Sequence, residues 1–173
     1  KPFTVWGQGV ILGEAEKEFT RFIEKSGIPA AWTILGLSAV PTNHPLNVGM
    51  VGMHGNYGPN VLTNECDVLI AIGMRFDDRV TGNLSAYAKQ AKIIHFEIDP
   101  AEVNKNVVAD VAVLGNVKLT LKVKRFHFQH VRRGHCCRYH GARTHRPFTL
   151  TLSSRTARNP AWPKLSTQVL NSR

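Results

Sequence analysis

Residues 123–173 contain no aspartate and no glutamate, although a stretch of that length with ordinary charge usage would hold about six. The same segment carries 11 of the 22 Lys and Arg and five of the eight His. All 12 acidic residues lie in residues 1–122, which have a formal charge of −1, so the net charge of +10 describes a tail and not the whole chain. Cysteine is equally sparse. Cys66, Cys136 and Cys137 are an odd set with two members adjacent, which excludes a disulfide framework. No apolar run approaches the roughly 20 residues a membrane helix needs, and no basic, apolar, small-residue leader begins at Lys1. The expectation is a soluble, cytoplasmic protein. Neither a Walker lysine loop nor a Ser/His/Asp set nor a pair of catalytic carboxylates emerges.

What is present is 43% apolar content in 173 residues, enough for a real core and, by length, one domain. Short strands alternate with helical segments. KPFTVWGQG reads as a strand ending in glycines, and Ala15, Phe19, Phe22 and Ile23 form one apolar face of a helix over 14–25. Gly27 suits its C-cap, IPAAWT is a second strand, and GLSAVPTNHPLN is a punctuated loop. VGMVG, a helix over 57–64 beginning near Pro59, DVLIAIG, a short helix within TGNLSAYAKQ, AKIIHFEID and VADVAVLG complete the order. VLIAI and VAVL are continuous apolar runs, as in strands buried on both faces. The pattern predicts an α/β, Rossmann-like doubly wound sheet of about six parallel strands with flanking helices, followed by a basic C-terminal tail. Ligands of such sheets bind outside the carboxyl ends of the strands.

GMRFDDRVTG (73–82) sits at such an end and places four charges in five residues after VLIAI. Arg75 and Arg79 can flank a pyrophosphate with forked donors, with Asp77 and Asp78 fixing them or accepting from hydroxyls. Glu97 follows Gly73 at the spacing with which dinucleotide folds place a carboxylate near a ribose. In GMVGMHG (49–55) the glycines allow close backbone approach, and Met50 and Met53 offer soft faces for a planar ring. Each feature has a plainer alternative. Gly7 and Gly9 form an ordinary turn, the charged cluster is a surface ion-pair set, the methionines fill core, His54 is a loop residue, and Glu97 caps a helix starting at Pro100.

Taken together, GLSAVPTNHPLNVGMVGMHG, DVLIAIGMRFDDRVTGN and AKIIHFEIDPAEVNKN resemble the central domain of the acetolactate synthase (acetohydroxyacid synthase) large subunit over residues 1–122. The resemblance implies a thiamine-diphosphate-dependent carboligase that condenses two pyruvates, or pyruvate and 2-ketobutyrate, in branched-chain amino acid synthesis. It also implies Mg²⁺, FAD without a redox role, a homo-oligomer and a regulatory subunit. Thiamine diphosphate and Mg²⁺ belong to the preceding and following domains, so this chain is expected to be a fragment without catalytic residues. The central domain cradles FAD. Carried over by position, the FAD contacts are Gly7, Thr33, Ile34, Val51, Gly52, Met53, His54, Gly73, Met74, Arg75, Asp77, Arg79, Val80, Glu97 and Ile98. Asn116 stands where many relatives have Asp, and keeps an acceptor oxygen without the charge.

Residues 123–173 lose both the resemblance and the acidic residues at one point, which reads as a segment out of frame or artificially joined, with little order. The rival reading is a nucleic-acid-binding arm with Phe126, Phe128 and Tyr139 stacking bases between arginines. A zinc site from His135, Cys136, Cys137, His140 and His145 is a third, although the spacing matches no standard knuckle. Nonspecific polyanion binding follows from the charge alone.

Overall fold

A computed structural model describes residues 1–123, 125–130, 148–153 and 169–171. Lys1–Leu121 and Lys122–Arg173 are two separate units. The first unit contains six parallel strands, β1 (Pro2–Trp6), β2 (Ala30–Trp32), β3 (Asn47–Met50), β4 (Val68–Ile72), β5 (Lys92–Glu97) and β6 (Val111–Leu114). They form one sheet in the order β3-β2-β1-β4-β5-β6. β2 and β3 are therefore laid outward on one side of β1, and β4, β5 and β6 on the other. Between β1 and β4 the winding reverses, and in a doubly wound sheet a crevice opens there at the carboxyl ends. The expected α/β sheet of about six parallel strands is what forms.

Burial explains the strand composition. Every residue of VLIAI is buried, as are Phe3 to Trp6 of β1 and Ile93 to Glu97 of β5, so these segments have no polar face to alternate with. Helix α1 (Gly9–Leu12) follows β1, and α2 (Glu16–Ser26) buries Phe19, Phe22 and Ile23. Phe19 meets Trp6 with ring centroids 5.2 Å apart, which ties α2 to the sheet. Glu16 and Glu18 occupy the first turn of α2 and Lys25 the last, complementing the helix dipole, and Gly27 ends it in the left-handed region at φ 67°. Helix α3 (Tyr57–Glu65) precedes β4, and α5 (Val117–Val123) follows β6. None of the described helices is long and apolar enough to cross a membrane.

One expectation needs correction. TGNLSAYAKQ holds no short helix beyond Thr81: α4 spans Asp78–Thr81, and residues 84–90 are turns. Asp77 starts α4 by accepting the Val80 N–H at 3.1 Å, and Gly82 at φ 57° ends it. Asn83 then accepts from the N–H and hydroxyl of Ser85, a turn that competes with continued helix. The cap and turn chemistry outweigh the weak apolar period of that stretch. In the second unit, β7 (Arg125–His130), β8 (Phe148–Ser153) and β9 (Val169–Asn171) form an antiparallel sheet in that order. RFHFQH and FTLTLS alternate aromatic or aliphatic with polar residues, the period that strand pairing uses. Tyr139 and the zinc set from His135 to His145 lie outside the described residues.

Candidate functional site at the carboxyl edge of the sheet

The residues one position past five of the strands form a row, because each continues the ladder into its neighbour. Val51 N–H donates to Trp32 O at 2.9 Å, Thr33 to Trp6 O at 2.9 Å and Gly7 to Ile72 O at 3.1 Å. Gly73 donates to Phe96 O and Gly115 to Glu97 O, both at 2.9 Å. Parallel pairing at matched register thus brings segments up to a hundred residues apart onto one edge.

At the switch point the glycines face each other. Gly9 N–H donates to Gly73 O at 2.8 Å, and a Cβ on Gly7 would stand 2.6 Å from Gly73 O and from Met74 Cβ. Gly73 itself is at φ 57°, and a Cβ there would stand 2.8 Å from Gly9 Cα. Both glycines of the first turn are therefore required for contact between two loops.

The charges after VLIAI follow from how the next segment is held. Between Met74 and Val80 three backbone carbonyls are taken by three other parts of the chain. His95 Nε2 lies 2.9 Å from Met74 O, Asn106 Nδ2 donates to Phe76 O at 2.6 Å, and Met53 N–H donates to Arg79 O at 2.8 Å. A carbonyl only accepts, so His95 carries its proton on Nε2, and its buried Nδ1 has no partner among the described residues. Met74 and Phe76 point into the core, and Phe76 meets the rings of His95 at 4.9 Å and Tyr87 at 6.1 Å. Arg75 and Arg79 consequently project outward.

Arg75 Nε is 3.5 Å from Asp77 Oδ2, and the Arg75 side chain remains 65% exposed. A pair that open to water contributes at most about 1 kcal/mol, so it orients Arg75 loosely. Asp77 also caps α4, Asp78 Oδ1 accepts the Arg79 N–H at 3.0 Å, and the Arg79 guanidinium has no partner among the described residues. The aspartates thus organise this turn more than they neutralise its arginines.

Glu97 is buried, with Oε1 accepting the N–H groups of Ile98 at 2.8 Å and Asp99 at 3.3 Å. Its Oε2 stands 3.8 Å from His95 Nε2. The cap of the turn at Pro100–Glu102 is Asp99, whose Oδ1 accepts from Ala101 N–H at 2.9 Å, so the helix-cap alternative for Glu97 does not hold. Asn116 has a cap role instead: its Oδ1 accepts from Lys118 N–H at 2.9 Å at the start of α5.

Side-chain direction divides the remaining candidates. Val51, Met74, Thr33 and the glycines Gly7 and Gly73 are buried, Gly52 likewise, and Val80 packs on the core, so these present backbone at most. Ile34 (65% exposed), Met53 (69%) and Ile98 (63%) face out, as does His54. Leu35 and Leu37 are also exposed and extend this apolar rim. Neither is among the residues the resemblance implies, although three large aliphatic side chains within Ile34 to Leu37 are a signal. Also outside that set are Asn56, His95, Asn106 and Asn60. Among the described residues, no three His, Cys, Asp or Glu side chains cluster as metal ligands.

Comparison with known proteins adds the context. Residues 1–123 match the family model described as thiamine pyrophosphate enzyme, central domain. Over 122 residues the chain is 49% identical to the probable acetolactate synthase large subunit of Methanocaldococcus jannaschii, covering 70% of this chain and 21% of that protein. It is 46% identical over 121 residues to the acetolactate synthase large subunit IlvB1 of Mycobacterium tuberculosis, covering 70% and 20%. Acetolactate synthase 2, chloroplastic, of Nicotiana tabacum is 44% identical over 122 residues, covering 70% and 18%. The chain spans about a fifth of the length of these relatives.

Proposed function

Because the chain belongs to the thiamine pyrophosphate enzyme family, as its central domain, we propose that it is the FAD-holding part of an acetolactate synthase large subunit. The whole enzyme joins two pyruvates, or pyruvate and 2-ketobutyrate, with thiamine diphosphate and Mg²⁺ held by neighbouring domains in a homo-oligomer that associates with a regulatory subunit. This piece has no catalytic residues of its own and does not condense pyruvate alone.

The observation that carries the reading is the composition of the rim: two exposed guanidinium groups, one lightly paired and one without a partner among the described residues, beside exposed Ile34, Leu35, Leu37, Met53 and Ile98 at the carboxyl edge of the sheet. That combination suits a ligand with a charged diphosphate and a flat, poorly hydrated ring. Arg75 and Arg79 receive the diphosphate and its sugar chain, and Met53 and Ile34 cover the ring. Glu97 retains lone pairs on Oε2 for a hydroxyl. FAD bound this way fills and orders the rim without exchanging electrons.

A flavin titration by fluorescence quenching on the full chain tests the reading, repeated with Arg75→Ala, Arg79→Ala and a chain ending at Lys122. Saturable binding that the arginine variants weaken and the shortened chain retains supports it. Binding indifferent to both arginines sinks the assignment of the rim.

A second reading rests on the tail, whose 11 Lys and Arg have no acidic counterpart in residues 123–173. Such a segment binds polyanions by counterion release whatever its origin. Only sequence-selective RNA or DNA binding that survives moderate salt marks a dedicated nucleic-acid arm.

A further inference from the structure

Asn60 lies on α3, outside the set of candidate ligand contacts, and its side-chain amide pairs with both backbone polar groups of one residue of the rim. Its Oδ1 accepts the Gly52 N–H at 2.9 Å, and its Nδ2 donates to Gly52 O at 2.9 Å. Gly52 stands at φ 104°, where an L side chain is strained, and a Cβ there would lie 2.6 Å from Arg79 O. The next residue, Met53, donates its N–H to that same Arg79 O at 2.8 Å. Asn56, one turn earlier, accepts the Met50 N–H at 3.0 Å and holds the base of the loop. One amide therefore fixes the peptide groups around Gly52, and that segment in turn holds the backbone of Arg79.

We propose that Asn60 is a positioning residue that couples the loop after β3 to the turn carrying Arg79, setting where the Arg79 guanidinium projects over the rim. It rests on the flavin reading of the rim and acts through Arg79 without touching the ligand. Asparagine is the residue this requires, since Gly52 presents one donor and one acceptor side by side and a primary amide offers the complement. Aspartate supplies both acceptors but no donor until it is protonated.

The test is a flavin titration on the full chain at pH 5 and pH 8 with Asn60→Ala, Asn60→Asp, Arg79→Ala and the double variant Asn60→Ala/Arg79→Ala. Asn60→Ala is expected to weaken binding about tenfold, the scale of losing one or two hydrogen bonds. In the double variant the loss should fall well short of the sum of the single losses, because both remove one function. Asn60→Asp should bind poorly at pH 8, where its carboxylate faces Gly52 O, and recover toward the parent at pH 5, where a protonated carboxyl donates to that oxygen. Asn60→Ala should show no such recovery. Full additivity, or equal pH profiles for the two Asn60 variants, overturns the coupling.

Should the parent chain bind no flavin, the flavin reading fails separately. Amide hydrogen exchange then decides the coupling. Met53 N–H should lose at least about tenfold protection in Asn60→Ala relative to the amides of β4 and β5, which report on global opening. Unchanged protection at Met53 overturns it.

Discussion

Replacing Gly7 by alanine puts a methyl group into a close approach between two loops. The new Cβ would stand 2.6 Å from Gly73 O and Met74 Cβ and 2.9 Å from Met74 Cα, where ordinary contact begins at 3.4 Å. The two loops must separate by roughly 0.8 Å, the difference between those distances. Neither loop yields freely, because Gly7 N–H is held by Ile72 O and Gly9 N–H by Gly73 O. Overpacking of this kind costs about 1–3 kcal/mol, and a lengthened hydrogen bond adds about 1 kcal/mol. For a unit of this size each kcal/mol lowers the unfolding midpoint by roughly 4 °C, so Gly7→Ala should melt about 8–15 °C below the parent. Gly58→Ala is the counterpart: Gly58 lies in α3 with nothing within 4 Å of its Cβ position, and the change should stabilise by about 0.5 kcal/mol. Both are read by far-UV circular dichroism melts of the full chain at one protein concentration. A Gly7→Ala midpoint no lower than the parent refutes the loop-to-loop contact, and with it the placement of the rim over the switch point.

Thr4 is buried in β1 with a hydroxyl that finds no partner among the described residues, so Thr4→Val should raise the midpoint by a few degrees; a lower midpoint in the same melts would show that the hydroxyl is satisfied. Burial pushes the Cys66 thiol up to about 12, helped by the nearby Asp67 carboxylate. In a Cys136→Ser/Cys137→Ser background, a thiol reagent at pH 8 should therefore label Cys66 only as fast as the chain unfolds, and labelling of the native protein within seconds would count against its burial. The same shift has a sign. An unfolded thiol ionises near pH 9 while the folded one stays neutral, so Cys66 contributes stability that is complete below about pH 9 and lost as pH rises toward 12. Chemical denaturation at pH 8 and pH 10 should show a smaller drop in Cys66→Ala than in the parent. Asp110 accepts from Lys92 Nζ and from Ile93 N–H, both at 2.9 Å. Asp110→Ala should cost about 1–2 kcal/mol by denaturant titration, mostly from the backbone N–H left behind, whereas Lys92→Ala should cost less than 1 kcal/mol because that pair is exposed.

Residues alone determined the order of elements and the class of fold. VLIAI and KIIHFE read as strands because a segment buried on both faces has to be apolar throughout, and the Phe19, Phe22, Ile23 spacing with Gly27 behind it marks α2 by local geometry. The strings around GMVGMHG and RFDDRVTG pointed to the family for the same reason, being short and contiguous. Local chemistry also explains the main misplacement, since the Asp77 cap and Asn83 turn had signals in the sequence that were weighed too lightly.

Tertiary structure alone decided which residue serves which. Gly7 and Gly73 are 66 positions apart and need to be glycine because β1 lies next to β4, and no periodicity encodes that neighbour relation. Arg75 and Arg79 project outward because the carbonyls of Met74, Phe76 and Arg79 are held by His95, Asn106 and Met53, three residues from three other segments. Asn60 reads as an ordinary helix residue until Gly52 is seen beside it. Strand and helix formation is governed by interactions within a few residues, and sequence displays those directly. The site is made of contacts between loops, and these exist only once the sheet has brought its carboxyl ends together.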